Sequence, residues 1–181
     1  TGSGGGITAA GGFAQTGAGT VQLGAHITTT GTDISFAGPV AVAGNVTLST
    51  GAASDGDIRF SGTVDSASSA YAGNLTLTAG DGEIALGGHI GATTALGSLT
   101  LNSSQDVALP VSLTAAALTT DAGGATRLQN GAAITTLGSQ NYNDAVVLDG
   151  DAVLSSTGSG AITFAQRVNG AHDLAVNTGG T

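Results

Sequence analysis

The chain has 181 residues and a net charge of −9; only 8% of the residues are charged, and the basic ones are three Arg with no Lys. So little positive charge argues against binding to nucleic acid, whose phosphates need basic partners, and no apolar run is long enough to insert into a membrane. Cys is absent, which excludes disulfides and thiolate metal sites. With 32 Gly and 3% aromatic residues, the chain also lacks the large side chains that fill a two-layer globule.

Short alternations of apolar and polar residues recur along the chain, interrupted by Gly, Ser, Asn or Asp, which is the pattern of strands and turns. The clearest unit is 56–64, where Ile58 and Phe60 alternate, a small-residue corner follows, and Val64 is apolar again. A second unit, 73–78, comes about ten residues later and repeats as well. The leading apolar positions are separated by 24, 26 and 23 residues: Ile34, Ile58, Ile84 and Val107.

This period predicts an all-β fold, a single-stranded parallel β-helix of about seven to eight coils with roughly 24 residues per coil. Pro39 and Pro110 fall in corner positions, where proline interrupts no strand. A β-sandwich is the alternative, but it gives no reason for a columnar repeat. The predicted inward residues are Ile58, Phe60, Val64, Leu75 and Leu77, and Thr47, Thr76, Thr100 and Thr163 are predicted to face outward.

A longer repeat of about 106 residues overlies the short one. It aligns Ile7 with Leu113 and Ile27 with Ile134, so the sequence holds roughly one and two-thirds copies. We therefore interpret residues 1–181 as one β-helical segment, a fragment of a longer chain. Leu174 aligns with Leu75, so we expect that chain to continue with a counterpart of residues 83–90.

Three runs, 73–78, 161–164 and 168–174, resemble the repeats of filamentous-haemagglutinin-like and autotransporter-passenger proteins, which are large bacterial surface exoproteins. The resemblance covers essentially the whole chain. It implies a right-handed parallel β-helix, export to the extracellular side of the bacterial cell surface, and an adhesive or matrix role. The family's secretion-recognition region is not matched in this sequence.

Four acidic residues directly precede the first inward residue of successive predicted coils: Asp33, Asp57, Glu83 and Asp106. Stacking would place their carboxylates in a file at about 4.8 Å spacing, where each adjacent pair repels by about 1 kcal/mol in water. Such a file is a candidate row of Ca²⁺ ligands. The alternative is a solvated edge whose repulsion Arg59 partly offsets, and we favour this interpretation, so no metal or other cofactor is predicted.

Other chemistry finds less support in the sequence. Polysaccharide-active β-helices use paired carboxylates in a cleft, but no long insertion is present to build one. His26 and His89 are predicted to share one corner position, several coils apart, and His172 is also remote, so the three histidines predict no metal site. An ice-binding face requires regular outward Thr, and outward positions also include Arg59 and Ala85.

We therefore predict a non-catalytic, extracellular structural or adhesive rod, a stalk or display scaffold of a bacterial surface adhesin, with no catalytic or cofactor-binding residues. The alternative is a matrix or filament protein that assembles by end-to-end stacking of coils. The expected partners are neighbouring repeats or other copies of the chain, and host or cell-surface glycans or proteins bound through parts outside this sequence.

Overall fold

The computed structural model describes residues 5–179, which form 22 β-strands and no helix. None of these residues lies in a helix long and apolar enough to span a membrane. The strands are β1 (Ile7–Ala9), β2 (Phe13–Gln15), β3 (Val21–Leu23), β4 (Ile27–Thr29), β5 (Ile34–Phe36), β6 (Val40–Val42), β7 (Asn45–Ser49), β8 (Ile58–Phe60), β9 (Val64–Ser66), β10 (Asn74–Gly80), β11 (Ile84–Leu86), β12 (Leu96–Ser103), β13 (Val107–Leu109), β14 (Ser112–Thr120), β15 (Ala125–Leu128), β16 (Ala132–Thr136), β17 (Gln140–Tyr142), β18 (Ala145–Leu148), β19 (Ala152–Ser156), β20 (Ile162–Phe164), β21 (Val168–Asn169) and β22 (Leu174–Thr178).

The strands stack in parallel on three faces, which the chain visits in the order A, B, C. Face A contains β1, β4, β7, β10, β12, the second half of β14, β17 and β20. Face B contains β2, β5, β8, β11, β13, β15, β18 and β21. Face C contains β3, β6, β9, the single residue Ile90, the first half of β14, β16, β19 and β22.

Face A and the later strands of face C (β14, β16, β19 and β22) join into one 11-stranded sheet because β14 runs around the corner between them, whereas β3, β6 and β9 form a separate three-stranded sheet. Its first half pairs with β16, and its second half pairs with β17. On face C, Ile90 replaces a full strand and bridges Val64 in one coil to Leu113 in another. The predicted fold class, a parallel β-solenoid, is confirmed.

The coils vary in length more than the sequence period suggests. On face B, the first inward residue of each strand recurs at steps of 19 to 26 residues. The structure has about eight coils of about 22 residues, so the predicted mean of 24 was too high. The steps used for that prediction, from Ile34 through Ile58 and Ile84 to Val107, are all correct, but the coils after Val107 are shorter.

The core is a set of columns, one or two side chains across, that runs along the solenoid. Phe60 is 2% exposed and stacks on Phe36, with ring centroids 4.9 Å apart and planes 7° from parallel. Leu86 lies next to Phe60 in the following coil, as predicted. Each of these residues alternates with an outward one, so the predicted strand register is confirmed.

Glycine permits the close approach of successive coils at the corner between faces B and C. A Cβ on Gly62 would lie 2.5 Å from the backbone of Gly38, and one on Gly88 would lie 2.1 Å from the carbonyl oxygen of Gly62. These glycines stack directly on one another, so no side chain fits at this level of any of the three coils. The stacking explains part of the high glycine content.

The 106-residue repeat connects residues on different faces. Ile7 lies on face A whereas Leu113 lies on face C, and Val40 of face C aligns with Val146 of face B. The shift therefore turns the chain by one face in addition to translating it along the axis. Whether the repeat reflects a duplication stays a prediction.

Candidate functional site

The acidic file forms as predicted, because the residues that follow its members stack in register. Two of its members also accept hydrogen bonds from the backbone of the next coil. A carboxylate oxygen of Asp33 accepts from the Asp57 N–H at 3.0 Å, and one of Asp57 accepts from the Glu83 N–H at 2.8 Å. The carboxylates of Asp33 and Asp57 thus each satisfy a corner N–H that the strand ladder leaves free. We call Asp33, Asp57 and Glu83 the acidic ladder.

Arginine side chains neutralise part of the acidic file. Arg59 lies 2.6 Å from Asp57 and 3.5 Å from Glu83, while Arg127 lies 3.5 Å from Asp106 and also pairs with Asp149. Partial burial by itself would raise the pKa of Asp57, but the bonds from the Glu83 N–H and Arg59 outweigh it and lower that pKa. The expected offset by Arg59 is therefore present, and the surroundings of Asp57 favour its ionised form.

Within residues 5–179, no three His, Cys, Asp or Glu residues are arranged to hold a metal ion. The predicted position of two histidines was wrong. His26 precedes β4 on face A and accepts a hydrogen bond from the Thr47 N–H at 2.9 Å, whereas His89 precedes Ile90 on face C. They therefore occupy different corners, because coils of unequal length do not preserve sequence offsets.

A buried carboxylate that the sequence did not indicate lies at the corner between β17 and β18. The Asp144 side chain is fully buried, with Thr120 Oγ1 2.8 Å from Oδ1 and Thr126 Oγ1 2.8 Å from Oδ2. Burial raises the pKa of Asp144, and the two hydroxyl bonds offset only part of that rise. Thr126 occupies the inward position that Ile58, Ile84 and Val107 hold in earlier coils.

Further polar groups occupy the core in the same coil, on β17. The Gln140 amide is fully buried and donates to Ser155 O at 2.9 Å, while its oxygen accepts from the Tyr142 hydroxyl at 3.0 Å. Burial strongly raises the pKa of Tyr142, and the nearby Asp144 charge adds to the effect. The Tyr142 ring stacks on Phe164 at 5.3 Å. The hydrogen bonds of these buried polar groups are made within the core, so we interpret the cluster as a structural part of the core.

Two surface depressions accompany the corners. One, of about 390 Å³, crosses several coils at the corner between faces C and A. It is lined by uncharged residues: Ser69, Ala72, Thr93, Thr94, Ala95, Leu96, Thr114, Ala115, Ala116, Thr135, Thr136, Leu137 and Thr157. The other, of about 330 Å³, contains Asp121, whose Oδ2 accepts from the Ser103 N–H at 3.0 Å.

Neither depression contains the acidic ladder. The first is lined by no carboxylate, and Asp121 is the only acidic residue that lines the second. Neither therefore brings together the two carboxylates that glycoside hydrolysis requires.

The fold defines the chain as a parallel β-solenoid. Comparison with known protein families, curated proteins and solved structures finds no match for this chain.

Proposed function

We propose that this chain is a non-catalytic rod segment of an extracellular bacterial surface protein, which spaces or displays other parts of its parent. The observation that carries the proposal is the uninterrupted stacking of face B, where eight strands pair in order along the described chain. Because the hydrogen-bonded ladder of face B has no break, a rod built in this way has no hinge on that face. The resemblance of 73–78 and 161–164 to surface exoprotein repeats supports the extracellular location.

Single-molecule pulling tests the mechanical role. With handles at both ends of the chain, we expect resistance followed by release in steps of about one coil, since each coil contacts only its neighbours. Extension at negligible force would contradict the rod. A parallel assay of reducing ends on neutral and acidic polysaccharides tests the non-catalytic part. Turnover that is lost in Asp57→Asn but retained in the surface variant Asp151→Asn would overturn it.

A filament subunit is the second candidate, and the partly exposed apolar residues of the outermost described coils favour it. Phe13 and Val21 at one end, and Ile162 and Phe164 at the other, pack against the core but are incompletely covered. In a longer chain an adjacent coil would cover these residues at each end, and in a filament a second copy of the chain would cover them. Negative-stain imaging of the purified chain separates the two functions: short particles fit the rod, and concentration-dependent fibres fit the filament.

A further inference from the structure

Face A presents an in-register array of small, uncharged hydrogen-bonding side chains. Its central file has one outward residue per coil in six successive coils: Thr47, Thr76, Thr100, Thr119, Asn141 and Thr163. A second file lies beside it, two residues further along each strand: Ser49, Thr78 and Asn102. No strand of face A contains a charged residue, although the chain carries −9.

The sequence-level objection to a regular Thr face does not hold in the structure. Arg59 and Ala85, which interrupt the Thr pattern in the sequence, both lie on face B, where they pair with each other. Sorting the outward residues by face leaves Thr in four consecutive coils of the central file on face A, followed by Asn141 and then Thr163. Only the three-face register could show this, because the sequence alternation does not say which face a strand joins.

Four of the five hydroxyl groups of the central file are available to a ligand, since only that of Thr163 donates within the file, to Asn141 Oδ1 at 2.9 Å. Within residues 5–179, no protein group hydrogen-bonds to the hydroxyls of Thr47, Thr76, Thr100 or Thr119. Their χ1 rotamers are restricted because threonine is β-branched, so little side-chain entropy is lost on binding. Neighbouring hydroxyls are spaced about 4.8 Å along the axis and about 6.7 Å along a strand.

We propose that face A binds the surface of ice. The array fits an uncharged, periodic ligand that forms a hydrogen bond with the protein at every repeat. Since each hydrogen bond adds only about 1 kcal/mol net, many must form together. Solid water meets these requirements, because its oxygens are fixed on a lattice. A crystalline polysaccharide fits less well, since its sugar rings prefer aromatic platforms, and Tyr142 and Phe164, the aromatic residues in the strands of face A, face inward.

Incorporation into slowly growing ice tests the proposal with matched variants. Thr76→Lys with Thr100→Lys puts bulk and charge on adjacent coils of face A. Thr114→Lys with Thr135→Lys makes the same change on adjacent coils of face C. We expect the wild-type chain and the face C variant to enter the ice, and the face A variant to stay in the liquid like a non-binding control protein.

Circular dichroism and thermal melting establish that each variant is folded before its ice content is compared. Exclusion of the wild-type chain from ice would overturn the proposal, as would equal loss in the two variants. Binding of the wild-type chain to microcrystalline cellulose but not to ice would assign face A to a polysaccharide instead. None of these results bears on the rod function, which the pulling experiment tests separately.

Discussion

At the scale of single residues, Phe60 shows how a thin core depends on each large side chain. It is sandwiched between Phe36 and Leu86 of the adjacent coils and is almost fully buried. We expect Phe60→Ala to reduce the free energy of unfolding by about 3–5 kcal/mol, measured by urea denaturation. Tyr71, which is 87% exposed, provides the control. Tyr71→Ala should change stability by less than about 0.5 kcal/mol, and an equal loss in both variants would contradict the packing argument.

Asp144 predicts an unusual pH dependence of stability. Its pKa is raised in the folded state because burial disfavours the charged form, so the folded chain holds the proton more tightly than the unfolded chain does. The stability contribution is complete below the unfolded pKa of about 3.9 and is lost as pH rises through the folded value. Asp144→Asn resembles the neutral form, so its stability relative to the wild type should increase between pH 4 and pH 7.

Asp57→Asn is the matched control, because the pKa of Asp57 is shifted in the opposite direction. A lowered pKa stabilises the fold above the unfolded value, and this stabilisation is lost as pH falls through the folded pKa. The Asp57 variant should therefore be less stable than the wild type at pH 7 and approach it in acid. Thermal melting across this range checks both signs. If the stabilities of the two variants, relative to the wild type, changed with pH in the same direction, the opposite pKa shifts of Asp144 and Asp57 would be contradicted.

At the scale of structural elements, the acidic ladder is expected to act through backbone hydrogen bonds rather than through calcium. Asp33 and Asp57 each accept a backbone N–H, and Arg59 lies between two carboxylates. Millimolar Ca²⁺ should therefore leave the melting temperature nearly unchanged. A ligand present at 100 times its dissociation constant would stabilise the fold by about 2.7 kcal/mol. A large upward shift in Ca²⁺ that disappears in Asp57→Asn with Glu83→Gln would establish a calcium site.

The strand pattern could be predicted from the sequence because period-two alternation determines which side chains face inward. Ile58, Phe60 and Val64 are therefore all buried as expected. The alternation contains no information on hydrogen bonds between coils. The file of carboxylates was therefore predicted, but the backbone N–H groups that bind to Asp33 and Asp57 were not. Thr126 and Asp144 were missed for a related reason: a small polar residue at an inward position has the same sequence signature as one at a turn.

At the scale of the whole molecule, the length of each coil and the face on which each strand lies could not be predicted from the sequence. The reason is that the loops differ in length from coil to coil. The loop between β7 and β8 has eight residues, whereas Gln129, Asn130 and Gly131 alone connect β15 to β16. The strands on either side still stack in register. Sequence offsets thus preserve the order of strands but not their face, which is why the 106-residue alignment rotates residues between faces.

The stacked register makes a final prediction about deletions. Ile84 pairs with Ile58 in one neighbouring coil and with Val107 in the other, so removing residues 84–106 joins Glu83 to Val107 and deletes one complete coil. Val107 then stacks on Ile58, and an acidic residue still precedes it. We expect a folded solenoid that is one coil shorter, with a proportionally smaller denaturant m-value because less surface is exposed on unfolding.

Removing Ala85 alone should damage the fold more than removing those 23 residues. The single deletion shifts Leu86 to the outward side of β11, because side chains alternate with a period of two. The adjacent Phe60 then loses its packing partner in that column. Circular dichroism and urea unfolding of the two deletion variants measure the difference. A folded Ala85 deletion of wild-type stability, or an unfolded 23-residue deletion, would mean that register is not what holds consecutive coils together.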